Sequence, residues 1–320
     1  MICNPQIETM NGEAMKSLQT EKLKKVIKWI YEKSFFYQCK MDELRLKPED
    51  ISNLSDLAKL PFTTRADLAD NYPYGLLTFP VSSVVRVHTI GNLQPVAVAY
   101  TSGDISKWLE MLARTLVAGG LNPTSVLLIA ANYGLSSEGL GLHYAAELIG
   151  ATVVPASVIE PSEQLKAIET FGATAIAGDA GYLLELANKA AELGIKPQNL
   201  PISTIYAIIT NLERNNVSEK LTESFNAKVI EIYSVNELIG PGIAGRCSAE
   251  HSLHIHEDYF YPEIIDPLTG EIKPEGETGE LVLTTLGKEA MPIIRYRTGH
   301  FTAIDRTLCP CGRTLAKLIY

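Results

Sequence analysis

The sequence has no apolar run long enough to cross a bilayer: its longest stretches, such as Val126 to Ala131, are strand-sized and soon interrupted. No membrane span is therefore expected. The N-terminus, Met-Ile-Cys-Asn-Pro-Gln-Ile-Glu, has no basic region followed by an apolar one, so a secretory signal is not expected and a cytoplasmic address follows. Positive charge is also short, with 28 Lys and Arg against 37 Asp and Glu and a net charge of −9. A phosphate backbone or an anionic lipid surface would be repelled on average, which excludes nucleic acid as an expected partner. Cysteine is scarce and odd in number, five in 320 residues, which argues against a disulfide framework. Internal repeats and low-complexity tracts are absent. What is present is an ordinary globular composition, 46% hydrophobic, with enough chain for a large core.

The spacing of Leu23, Val26, Ile27, Trp29, Ile30 and Phe35 predicts a helix over 18–36, followed by short pieces broken by Pro48, Pro61, Pro73 and Pro80. The apolar stripe of that helix packs on the main body or contributes to a homodimer. From Val84 a different rhythm begins. Runs rich in β-branched residues (84–90, 96–100, 126–131, 151–155, 173–177, 204–210, 228–233) alternate with helical stretches (104–118, 138–149, 162–171, 181–193, 218–225). That alternation predicts an α/β fold with parallel strands, in which Gly150, Gly172 and Gly194 stop helices. After Glu237 loops and short strands take over (259–265, 279–285, 292–296, 301–304). The expected organisation is a helical segment over 1–83, α/β subdomains over 84–237, and a β-rich subdomain over 238–320.

Three of the cysteines lie in the last quarter. Cys309-Pro310-Cys311-Gly312 puts two thiols in one glycine-containing turn, and Cys247 precedes His251, His254 and His256. Three thiolates and an imidazole suit a tetrahedral, redox-silent zinc with no open position, a structural site. Spacing alone does not choose among the histidines.

Several runs together resemble the phenylacetate–coenzyme A ligase branch of the adenylate-forming (acyl-CoA synthetase) enzymes. They are Lys59-Leu-Pro-Phe-Thr-Thr-Arg-Ala-Asp-Leu-Ala-Asp-Asn-Tyr-Pro73, Tyr133-Gly-Leu with Gly139-Leu-Gly-Leu-His-Tyr144, and Gly150-Ala-Thr-Val-Val-Pro-Ala-Ser157. Closer still are Tyr259-Phe-Tyr-Pro-Glu-Ile-Ile-Asp-Pro267, Gly279-Glu-Leu-Val-Leu-Thr-Thr-Leu286, Lys288 to Thr298, and Cys309 to Thr314. The resemblance runs from about Val26 to Thr314. It implies the N-terminal domain of such an enzyme, parallel α/β subdomains plus a small β-rich one, which joins a carboxylate to ATP and passes the acyl group to coenzyme A. It also implies zinc ligands Cys247, His254, Cys309 and Cys311, an adenine platform at Tyr233, a Mg²⁺ ligand at Glu237, and a phosphate or ribose contact at Arg297.

The chain departs from the family's pattern at four places. The phosphate loop, SSGTTGKPT in the family, corresponds here to a shortened stretch within His88-Thr-Ile-Gly-Asn-Leu-Gln-Pro-Val96, which keeps one glycine and the proline but neither the serines nor the lysine. Isoleucine and leucine cannot donate to phosphate. The ribose-binding aspartate is replaced by His300, whose neutral ring has one acceptor where a carboxylate has two oxygens. The acyl-pocket segment reads Ile209-Thr210-Asn211, with Ser136 and Glu138 nearby, so phenylacetate is not the expected acid. The sequence stops at Tyr320, so the lysine-bearing C-terminal domain that the resemblance implies would be lacking or come from a separate chain. No residue is singled out as a general base or nucleophile, and His143 is expected to be a packed core histidine. Two functions remain open: an AMP-forming ligase homologue using ATP, Mg²⁺ and coenzyme A, or a non-catalytic zinc protein. The second would hold a small carboxylate, a nucleotide fragment or a partner protein, and the concurrence of the four departures favours it.

Overall fold

A computed structural model describes residues 1–91, 93–212 and 216–320. Its framework is an eleven-stranded sheet in the order β10-β11-β12-β13-β9-β8-β7-β6-β5-β3-β4, with β1 (Arg86–Ile90) and β2 (Val96–Tyr100) forming a separate hairpin. One half is parallel: β4 (Thr152–Val154), β3 (Val126–Ala130), β5 (Ala175–Asp179), β6 (Thr204–Ile209) and β7 (Lys228–Val235). From β7 onward every pairing is antiparallel, through β8 (Gly240–Arg246), β9 (Leu253–Ile255), β13 (Lys317–Ile319), β12 (Tyr296–Asp305), β11 (Gly279–Thr285) and β10 (Phe260–Ile265).

The parallel half follows from strands that are apolar on both faces and from helices that cover them. The helix α5 (Ser102–Gly119) starts in a capping box, where the Thr101 side chain accepts from Asp104 N–H and Asp104 accepts from Thr101 N–H. It buries Trp108, Met111, Leu112 and Leu116 against the sheet. Next come α6 (Glu138–Ile149), α7 (Pro161–Phe171), α8 (Ala180–Glu192) and α9 (Val217–Phe225). Gly150 and Gly172 cap α6 and α7 in the left-handed conformation, and Gly194 takes a positive φ just past α8, as expected.

The structure corrects three expectations. The runs at 84–90 and 96–100 do not join a parallel sheet, because the five residues between β1 and β2 leave no room for a crossover helix and close an antiparallel hairpin instead. The 18–36 helix is really α2 (Gly12–Lys33) followed, after extended Ser34, by α3 (Phe35–Glu43), so Phe35 stands exposed rather than packed. The 292–296 run is not a strand: Arg295 adopts φ 48°, and Thr63 clamps the chain by accepting from Arg297 N–H and donating to the Arg295 carbonyl, each at 3.0 Å. The residues on either side of Glu237 are neighbours in one sheet, Ser234 opposite Pro241 and Tyr233 opposite Ala244. Among the described residues no helix is long and apolar enough to cross a membrane.

Candidate nucleotide cleft and cysteine cluster

At the carboxyl ends of β6 and β7, where an open α/β sheet ordinarily takes its ligand, lies a cleft of ≈520 Å³. Thr210 follows β6, Ser234 to Glu237 come from the end of β7, and Tyr296 to His300 come from the start of β12. Thr64 and Arg65 close it from the N-terminal side, held there because Thr63 bridges to Tyr296.

Among the described residues, every charged group lining this cleft has a partner. Glu237 lines it, with Oε1 2.5 Å from Arg65 Nη1. Arg297 lines it as well, with its guanidinium on Glu280 (Nε to Oε2 3.0 Å, and Nη2) and on the Pro267 carbonyl at 2.9 Å. Hydrogen bonding to Glu280 raises the Arg297 pKa still further. Glu280 also accepts from Gly299 N–H. His300 lines the cleft with Nδ1 2.6 Å from the Tyr233 hydroxyl.

Tyr233 lies beneath the cleft and does not line it: its ring is fully buried, edge-on to His300 at 5.7 Å, and burial pushes the phenol pKa up. A purine could stack on it only after that cover moved. Of the run 88–96, only Ile90 lines the cleft among the described residues, and Asn92 lies outside them. His88 is buried beneath, with Nδ1 3.1 Å from the Leu135 carbonyl and its ring edge-on to Tyr100. Glu138 accepts from Ser136 at 2.7 Å and from Asn236 of the cleft wall at 3.3 Å. His143 is not a core residue: on a partly exposed face of α6 it bridges Tyr133 and Glu147, at 3.1 Å each. Arg65 has no signal of its own in the sequence, because its partner Glu237 lies 172 positions away.

The four metal-ligand candidates do come together. Cys247 follows β8, His254 sits in β9 opposite both Gly245 of β8 and Lys317 of β13, and Cys309 and Cys311 form the turn between β12 and β13. Their ligand atoms all lie within 4.8 Å of one another. Cys247 Sγ is 3.6 Å from Cys309 Sγ, and Cys311 Sγ is 3.5 Å from His254 Nε2. Ala249 N–H and Cys311 N–H point at the sulfurs of Cys247 and Cys309. Gly312, at φ 87°, lets the turn close. Burial, with the Arg313 charge adding to it, pushes the His254 imidazole down to about 4, which keeps it neutral and able to ligate. His251 and His256 stand elsewhere, on Arg246 and on Thr115.

Arg313 carries the turn onward. It is buried, pairs with buried Glu8 at 2.5 Å and donates to the Met1 carbonyl. Glu8 lies outside every motif, and Arg313 falls within the resembling run 309–314 without a role of its own there.

The chain was compared with known proteins. No family model matches the sequence. Over 322 residues it is 38% identical to a phenylacetate-coenzyme A ligase of Thermus thermophilus, covering 99% of this chain and 72% of that protein. A ligase of the same name from Escherichia coli K12 is 37% identical over 319 residues, covering 98% and 71%. Among solved structures, an open 2-hydroxyisobutyryl-CoA ligase in complex with 2-HIB-AMP and CoA superposes with TM-score 0.92 at 24% identity, covering 98% of this chain and 75% of that one. A long-chain-fatty-acid-CoA ligase of Archaeoglobus fulgidus superposes with TM-score 0.54 at 13% identity, covering 75% and 52%.

Proposed function

Because this chain belongs to the phenylacetate–coenzyme A ligase family, we propose that it is a ligase-like protein whose cleft holds a nucleotide rather than activating one. The observation that carries this reading is the state of the cleft's charged groups: Glu237, Glu280 and His300 are each committed to a partner within the chain. Among the described residues no lysine lines the cleft, and of the hairpin above it only Ile90, which cannot donate to a phosphate, does so. What remains is recognition. Thr64, Thr210, Ser234, Asn236 and Thr298 line the cleft with hydroxyls and an amide, and Arg65, paired with Glu237 but 40% exposed, keeps N–H groups for a phosphate. ATP and coenzyme A are the ligands consistent with the family, and a small carboxylate would complete the set.

In the same reading a structural zinc ion is held by Cys247, His254, Cys309 and Cys311. A Cys₃His set fits tetrahedral zinc and leaves no position for water, so the ion would tie strands together and take no part in chemistry.

Isothermal titration with AMP and with ATP, using zinc-replete protein, tests the proposal. AMP is expected to bind in the micromolar range. If neither nucleotide binds at millimolar concentration, the nucleotide reading fails.

A further inference from the structure

We propose that the Arg65 guanidinium stands where a divalent metal would otherwise sit at Glu237, so that this cleft takes a nucleoside phosphate without Mg²⁺. The inference rests on the nucleotide reading for its ligand, but not for its geometry.

Glu237 is the only carboxylate that the end of β7 brings to the cleft, and Arg65 Nη1 is 2.5 Å from its Oε1. The guanidinium is fixed from three sides. Arg65 is the first residue of helix α4 (Arg65–Asp70), whose cap Thr64 follows directly on the Thr63 clamp to Tyr296. Nη2 lies 3.4 Å from the Gln94 carbonyl of the hairpin. It also lies against Gly91, where an added Cβ would come within 2.7 Å of Nη2. The hairpin that lacks the family's serines and lysine is thus the one that seats the arginine.

A divalent cation arriving at Glu237, whose side chain is 18% exposed, would meet the Arg65 charge at contact distance and be repelled by it. It would also find Glu237 Oε1 already occupied by the guanidinium. Mg²⁺ needs near-octahedral oxygen coordination and is usually held by one or two carboxylates together with substrate phosphates. The cleft's other carboxylate, Glu280, is already filled by Arg297 and Gly299 N–H. The residues present therefore do not fit Mg²⁺, and the role of Mg²⁺ ligand implied for Glu237 is not carried over. A phosphate oxygen, by contrast, can take the outward-facing N–H groups of Arg65, whose side chain remains 40% exposed.

The test titrates Mn²⁺, followed by electron paramagnetic resonance, into wild type, Arg65→Gln, and Arg65→Gln/Glu237→Gln. Wild type is expected to show no site tighter than millimolar. Arg65→Gln should gain at least roughly tenfold in Mn²⁺ affinity, and the double variant should lose the gain. AMP is then titrated into wild type with and without added Mg²⁺, with equal affinity expected; chelators are left out so that the cysteine cluster is undisturbed. Arg65→Lys controls for folding, since it keeps the charge and should stay as metal-blind as wild type. Equal Mn²⁺ binding by wild type and Arg65→Gln, or nucleotide binding that requires Mg²⁺, would overturn the proposal. If Arg65→Gln gains Mn²⁺ while no nucleotide binds any form, Arg65 blocks metal as argued and it is the nucleotide reading that fails.

Discussion

At the scale of single residues, the structure puts Lys288 in surroundings that the sequence alone does not show. Lys288 is buried, its Nζ 3.5 Å above the Tyr100 ring and 4.0 Å from Asp104, with no hydrogen-bond acceptor among the described residues. Burial pulls its pKa down to about 8, against the attraction of Asp104. An unfolded lysine titrates near about 10.4, so between those values the unfolded chain binds more protons and stability rises with pH. The strain of the buried charge is thus fully present below about 8 and relieved as pH climbs past it. Asp104 does not depend on the lysine, because it accepts from the backbone N–H groups of Thr101, Glu289 and Ala290. Lys288→Met should therefore cost little or even stabilise at pH 7, and should abolish the rise in melting temperature between pH 8 and 10. Calorimetry at both ends of that range checks it; a loss beyond about 2 kcal/mol at pH 7 would mean that the ammonium is needed where it is. Arg65 and Lys288 were illegible for a common reason: each acquires its meaning from a partner supplied by another element. The three cysteines of the cluster were legible because Cys309 and Cys311 share one turn, whereas His254 stood out from His251 and His256 only through the family resemblance.

At the scale of elements, the first ten residues are bolted to the cysteine turn. Glu8 accepts from Cys3 N–H at 2.7 Å, from Asn4 N–H at 2.6 Å and from Arg313 Nε at 2.5 Å. Thr314 adds two bonds, N–H to the Glu8 carbonyl at 3.0 Å and Oγ1 to the Met10 carbonyl at 2.6 Å. Both charges of the Glu8–Arg313 pair are buried, so neutralising one leaves the other uncompensated. Glu8→Gln is expected to lose about 3 kcal/mol in urea denaturation, and Glu8→Gln/Arg313→Met to recover part of it. Additive losses in the double variant would show that the two residues act separately. Elements defined by local pattern were read well from sequence: strands 126–131, 204–210 and 228–233 and helix 138–149 stand within a residue or two of β3, β6, β7 and α6. Elements defined by contact were not. The β1–β2 hairpin looked like two more parallel strands because periodicity reports burial and not direction. The bend at Arg295 is held by the backbone clamp from Thr63, a distant segment.

At the scale of the whole molecule, the cysteine cluster sits at the seam of the sheet. β7 and β8 join the parallel half to the antiparallel half, and β8, β9 and β13 bring Cys247, His254 and the Cys309 turn to one point beside that join. The cleft hangs on the same strands: Tyr233 and Glu237 belong to the end of β7 and its continuation, while Arg297 and His300 lie on β12, whose far end pairs with β13. An ion at the cluster would tie β8, β9 and the β12–β13 turn together within the antiparallel half, beside that join and without touching the cleft. Sequence showed both halves and the ligands, but not that one continuous sheet connects them, since strand order across 237 is a tertiary fact. The purified protein is expected to carry one zinc per chain. Cys309→Ser should release it and lower the melting temperature by roughly 5 °C or more, because a metal bound only by the folded state adds its binding free energy to stability. Cys39→Ser, which removes a thiol outside the cluster, should leave metal content unchanged. AMP affinity should weaken in Cys309→Ser as the strands carrying the cleft lose their common anchor. If Cys309→Ser keeps both its zinc and its melting temperature, the four ligands are a packed thiol cluster and the seam is held by the sheet alone.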